Sequence, residues 1–201
     1  MTKPIISIRQ ATLEDREKVT QFRIDQFRSA KEFTVANTDV FSVMKGKVLI
    51  AELNKEIIST MQFQTLTNKD ELIHSSTEYI PDSFNSFSTL YLSKGGTTRE
   101  FRKTGINSCL RQIILQLAFD DLSINSLTGV AYENAPRMNI LKTIGYTTTE
   151  TYTINKTYLM PTENPLFLSL SRQNFLTAIS LLETEITELK NYYSIVNTLL
   201  C

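Results

Sequence analysis

Apolar and polar residues alternate from Ile5 to Arg9 (IISIR), and this period of two predicts a first β-strand. Thr12 is a good helix N-cap, and Asp15 stands three residues on, where a capping box places its acid. Val19, Phe22, Ile24 and Phe27 then recur at helical spacing, which predicts a helix over about 13 to 29, extended through Phe33. KVLIAEL (47 to 53) and EIISTMQFQTL (56 to 66) read as two strands around an Asn54-Lys55 turn. Residues 67 to 86 are polar and contain Pro81, so they read as a long loop. Residues 86 to 98 have strand composition but carry Gly95-Gly96, a pair that predicts a bulge or the close approach of a backbone or ligand. Leu110, Ile113, Ile114, Leu117 and Ala118 share one face of a helix over 106 to 119. SLTGVAY (126 to 132) is a further strand. Residues 135 to 143 read as a helix stopped by Gly145, and 146 to 158 as a final strand or hairpin.

The order strand, helix, three strands, helix, strand, helix, strand predicts an α/β fold with a mixed central β-sheet flanked by helices. A chain of 201 residues with 41% apolar content supports one well-buried domain, placed at 1–160. Residues 165–201 read instead as a C-terminal amphipathic helix. Phe175, Ile179, Leu182, Ile186, Leu189, Tyr193, Val196 and Leu200 form a heptad seam. Two expectations follow from that seam: the helix packs on its own domain, or it pairs with a second chain as a coiled coil in a homodimer. The pattern still runs at Leu199-Leu200-Cys201, as expected of a piece of a longer protein.

Charge and composition narrow the chemistry. The 21 basic and 21 acidic residues cancel, which disfavours a nucleic-acid binder; a basic group nevertheless gathers at Lys94, Arg99, Arg102 and Lys103. Cys109 and Cys201 have no metal or redox spacing, and the lone His74 cannot complete a zinc site, so no metal cofactor is expected. Few cysteines, no apolar leader and no run near the ~18 apolar residues of a membrane span fit a cytoplasmic protein.

The most informative stretch is Arg99-Glu100-Phe101-Arg102-Lys103-Thr104-Gly105-Ile106-Asn107, between a strand and a helix. The first turn of that helix offers backbone N–H groups without intrahelical partners, at the positive end of the helix dipole. With the nearby cations they suit a phosphate or pyrophosphate.

Arg102-Lys103-Thr104-Gly105-Ile106-Asn107 resembles the Arg/Gln-x-x-Gly-x-Gly/Ala loop of the GCN5-related N-acyltransferases (GNAT), with Asn107 in place of the last small residue. The opening Ile6-Ser7-Ile8-Arg9-Gln10-Ala11-Thr12-Leu13-Glu14-Asp15 is similar to that family's first strand and helix. Asn134 to Tyr146 looks like its Asn, helix, Gly-Phe signature. The resemblance spans about residues 5 to 150. It implies that Arg102 to Asn107 and Asn134 hold an acetyl-CoA or longer acyl-CoA, and that the chain moves the acyl group to a small-molecule amine. Ser93-Lys94 sits where the acyl-homoserine lactone and N-acyl amino acid synthase branch carries Ser-Arg, which implies an acyl carrier protein as an alternative donor. A general base is needed, and Glu133 and Tyr132 are favoured over Glu52. Leu141 stands where many members carry a tyrosine that protonates the departing thiolate, so another group or solvent must do so. The competing expectation is a sensory or binding module of the same fold, weak or inactive as a catalyst and joined through a coiled-coil helix.

Overall fold

The computed structural model describes residues 2–27, 46–67, 88–132, 137–151 and 165–199. Strand β1 (Ile5–Gln10) leads through a 3-10 turn, Leu13–Asp15, into α1 (Arg16–Phe27). Strands β2 (Lys47–Leu53), β3 (Glu56–Leu66) and β4 (Thr89–Thr97) follow, then α2 (Ile106–Asp120) and β5 (Ser126–Tyr132). Next come α3 (Met138–Thr143), β6 (Thr147–Thr151), β7 (Pro165–Ser171), α4 (Phe175–Tyr192) and β8 (Ser194–Asn197). Together the strands make one 8-stranded sheet in the order β6-β7-β5-β4-β3-β2-β1-β8. The pairs β4–β5 and β1–β8 are parallel and the others antiparallel. This is the mixed α/β sheet expected from the sequence.

The alternation in the strands sorts side chains between two layers. Ile6, Ile8, Leu49, Met61, Leu92 and Leu127 turn to one face and join Ile106, Leu110 and Ile114 of α2, Leu141 of α3, and Leu182 and Ile186 of α4. Val19 packs with Ala11, Val48 and Ile50 in a smaller cluster on α1. Burying these side chains is the main drive to fold, worth about 1.5–3 kcal/mol for each large one.

The opening motif has a physical basis. Arg9 donates through Nη1 and Nη2 to Asp15 at 2.6 and 2.8 Å, and through Nε and Nη2 to Glu52 at 2.8 and 3.0 Å. Asp15 also accepts from the N–H of Thr12 at 2.8 Å, closing the turn into α1. The Arg9 guanidinium holds the Asp15 carboxyl well below the usual carboxylate range. A depressed acid contributes stability above its unfolded value near 3.9, and that contribution is lost as pH falls toward the folded value. Asp15→Asn should therefore cost about 1–3 kcal/mol at neutral pH, the scale of a charge-assisted pair. Urea titrations across pH should show the gap from the parent protein narrowing below about pH 4; a gap constant down to pH 2 would refute the assignment.

The C-terminal region departs from its predicted form. Residues 165–171, grouped by sequence with a separate helical segment, are strand β7, which lies between β5 and β6. The helix ends at Tyr192; Tyr193 is extended and 194–197 pair with β1, so Tyr193 and Val196 do not continue the seam as a helix. Of the two expectations for the seam, the structure has the first, packing on its own domain. Phe175, Leu182, Ile186 and Leu189 are at most 1% exposed, buried in this chain's own core and not left for a partner. Helix α4 runs antiparallel to α2: Gly105 abuts Glu185 and Ile186, while Gln112 Nε2 donates to Ile179 O and to Glu183. Arg172 fastens the other end of α2, donating to the carbonyls of Ala118, Phe119, Asp121 and Ile124 at 2.6–3.0 Å. No helix among the described residues is long and apolar enough to cross a membrane. The 67–86 loop, His74, Phe33, residues 152–158, Leu200 and Cys201 lie outside the described residues in whole or nearly so.

Candidate functional site

The sheet opens at its centre. Strands β4 and β5 pair from Thr89–Ser126 to Leu92–Gly129 and then part, although β4 continues to Thr97 and β5 to Tyr132. Gly129 sits at the apex, where an added Cβ would stand 3.0 Å from Leu92 O. On its other side β4 stays paired to β3, with a register shift: Thr60 faces Gly96, but Gln62 faces Ser93. Lys94 and Gly95 thus oppose Met61 alone, the bulge that the paired glycines predict. Among the described residues, backbone groups of β4 beyond Leu92 have no strand partner on the β5 side, an arrangement that suits a ligand.

A small cleft, partly open to solvent, lies at this fork. Leu92, Ser93 and Gly95 of β4 and Thr128, Gly129 and Ala131 of β5 form its two sides. Arg111 of α2, Leu141 of α3, Arg137 and Tyr146 complete the wall facing the sheet. Arg111 Nη1 donates to Tyr146 Oη at 3.0 Å, and its guanidinium carbon lies 5.7 Å from the centre of that ring. Burial raises the Tyr146 phenol above the ordinary tyrosine value, with the Arg111 and Arg137 charges opposing the rise. Arg137 Nη1 lies 3.6 Å from the Cβ position of Gly95, over the bulge; burial and the charge of Arg111 push its pKa down to about 10.

The loop before α2 adjoins this cavity. Lys103 (φ +66°) and Gly105 (φ +92°) are both left-handed, which curls the chain tightly into the helix. The first intrahelical bond runs from Cys109 N–H to Gly105 O at 2.9 Å, so the N–H groups of Ile106, Asn107 and Ser108 precede it. Arg102 and Lys103 are exposed, Arg102 Nε donating to Thr97 O at 3.3 Å; Thr104 Oγ1 donates to Phe101 O at 2.8 Å. Ile106 is buried in the core. Asn107 turns its Nδ2 toward Gly95, 3.5 Å from that Cβ position, and so links the loop to the cavity. The close approach that requires Gly105 is made by the α4 backbone: a Cβ there would stand 2.4 Å from Glu185 O.

The predicted bases fare differently. Glu52 is held by Arg9 on β2, two strands from the fork, which leaves it no part in the cavity. Tyr132 is the last residue of β5, on the diverging arm, while Glu133 and Asn134 lie outside the described residues. Sequence reading passed over Tyr146 and Arg111. Arg111 had a signal: three residues before Ile114 and seven before Ala118, it falls on the apolar face of α2, where a cation needs a reason. Arg23 was missed as well. It is 1% exposed on the α1 side and donates through Nη2 to Gln62 Oε1 at 3.2 Å; among the described residues its Nε and Nη1 have no partner. Among the described residues no cluster of three or more His, Cys, Asp or Glu could hold a metal.

The sequence matches no protein-family model and no curated protein. Solved structures share its architecture at low identity. Aminoglycoside acetyltransferase AAC(6')-Ib in complex with coenzyme A is 15% identical, with a TM-score of 0.61 over 86% of this chain and 98% of that one. NAA60 of Arabidopsis thaliana in complex with acetyl-CoA is also 15% identical, with a TM-score of 0.61 over 83% and 98%. The loading GNATL domain of CurA from Lyngbya majuscula is 13% identical, with a TM-score of 0.60 over 84% and 98%. The chain has the fold of these GNAT proteins.

Proposed function

We propose that this GNAT-fold chain is an N-acyltransferase that takes an acyl group from a pantetheine thioester and passes it to a small-molecule amine. The observation that carries the reading is the fork between β4 and β5, with an unpaired β4 edge on one side and the buried Tyr146 phenol in the same cavity. In this reading coenzyme A lies with its pyrophosphate at the Arg102–Asn107 loop, among the free N–H groups of α2, and its pantetheine arm enters the fork. Asn134 would hold that arm, as the resemblance implies. A backbone N–H of the β4 bulge, near Gly95 to Thr97, donates to the carbonyl oxygen as it becomes an oxyanion. The amine nitrogen attacks the thioester carbon, the C–N bond forms, and the C–S bond breaks. The departing sulfur takes its proton from Tyr146 Oη, and Arg111 stabilises the phenolate that results. The amine loses its extra proton to a base at the end of β5, for which Tyr132 and Glu133 are placed by sequence. Solvent then restores the Tyr146 proton. Tyr146 thus fills the role that Leu141, 2% exposed and without a proton to give, leaves open.

Leu141 favours a second reading, a module that binds the thioester without turning it over. Calorimetry with acetyl-CoA and a long-chain acyl-CoA, followed by thiol release against a panel of primary amines, separates the two. Saturable binding with amine-dependent release of free thiol is the expected result. Binding without release would favour the sensory module. Release only from an acyl carrier protein thioester would move the donor to that partner, whose acidic surface suits Arg99, Arg102 and Lys103. An absence of both binding and release with every donor would defeat the proposal.

A further inference from the structure

Arg111 and Arg137 meet in one cavity whose wall contains no acid among the described residues. Arg111 is only 8% exposed, and its hydrogen bond goes to the neutral Tyr146 hydroxyl. Arg137 reaches over the β4 bulge, where its charged neighbour is another cation, Arg111. Met61, Leu92, Leu141 and Leu168 supply apolar surface around them. The two like charges repel each other and are partly withdrawn from water; with Arg111 bonded to Tyr146, Arg137 is the one that favours an anion beside it. The cavity lies on the α2 side of the sheet, and Asn107 joins it to the loop that receives the donor in the proposed reaction. What reaches it from that loop is the acyl end of the thioester.

We propose that the acyl group this cleft accepts carries a terminal carboxylate, making the donor the thioester of a short dicarboxylic acid. This rests on the acyltransferase reading. Guanidinium groups match a carboxylate through paired N–H donors, and a small partly apolar cavity strengthens that match over its value in water. An unbranched neutral acyl chain of the same length would bring no anion to Arg137.

The test compares succinyl-CoA with butyryl-CoA, whose acyl groups have the same four-carbon length and differ in the terminal group. Calorimetry should give succinyl-CoA at least about tenfold tighter binding, the scale of a charge-assisted contact. The ratio of the two affinities should collapse toward one in Arg137→Met and be only partly retained in Arg137→Lys, which keeps the charge without the paired donors. Circular dichroism melts of both variants establish that they are folded. Equal affinities in the parent protein, or a preference that survives Arg137→Met, would overturn the inference while leaving the acyltransferase reading intact. Failure of both esters to bind would instead count against that reading, and the inference would fall with it.

Discussion

Replacing Tyr146 by phenylalanine should lower kcat by about a hundredfold or more, the usual contribution of a positioned general acid, while leaving KM for the thioester within about threefold. The ring fills the same space in both proteins, so the change is confined to one oxygen. That oxygen is the acceptor of the Arg111 bond, and its loss also costs stability on the order of 1–3 kcal/mol. The rate effect must therefore be read well below the melting temperature. A second signature is independent of stability. The acid works only when protonated, so the parent rate should fall as pH rises through the Tyr146 value, which burial sets above the usual ~10. The phenylalanine variant should lack that alkaline limb. A variant that keeps kcat within about threefold would remove Tyr146 from the mechanism.

The second large effect concerns stability. Gly105→Ala should destabilise the fold by about 3 kcal/mol or more, and Gly105→Val further. A left-handed conformation alone costs a side chain about 1–2 kcal/mol. The rest comes from the 2.4 Å approach to Glu185 O and 3.2 Å to the Cα of Ile186, both backbone atoms of α4, so the helix itself must move. Gly145 provides the control. Its φ of +95° is as unfavourable, but a Cβ there meets Leu170 Cδ1 at 3.5 Å and the Asn174 side chain at 3.8 and 3.9 Å, all ordinary contacts. Gly145→Ala should therefore show the conformational cost alone. Denaturant titrations in which Gly105→Ala costs no more than Gly145→Ala would show that α4 does not press on this loop.

The same glycine marks how far sequence reading reaches. That a small residue was needed before α2 was legible, because glycine at a strand-to-helix turn points to a left-handed angle or a close neighbour. Which neighbour was not legible, since Glu185 lies some 80 residues on and only the fold brings it near. The central elements were readable because period two and period 3.6 are local properties of β1 to β5, α1 and α2. Residues 165–171 alternate as clearly, Leu166, Leu168 and Leu170 against Phe167, Ser169 and Ser171, yet they precede a long apolar seam and were merged with it. The seam itself was real, but a 3.5-residue spacing serves an antiparallel helix within one domain as well as a partner chain. Of the site, the loop and the bulge could be placed from glycines. The Arg111–Tyr146 pair, 35 positions apart, could not, because nothing local distinguishes a tyrosine that ends in a cavity from one that ends in a core.

The pairing of β1 with β8 governs how this sheet is completed during synthesis. Ile5 lies beside Ser194 and Ile8 beside Asn197, so one flank of β1 is filled by residues some 190 positions later. Until they leave the ribosome, β1 shows a row of unsatisfied amides and carbonyls to any extended chain nearby. Closing so long a span is slow, because the entropy of the intervening chain is spent before the contact repays it. The nascent chain is therefore exposed to strand exchange and aggregation until residues 194–197 have emerged, and chaperone demand should peak before that point.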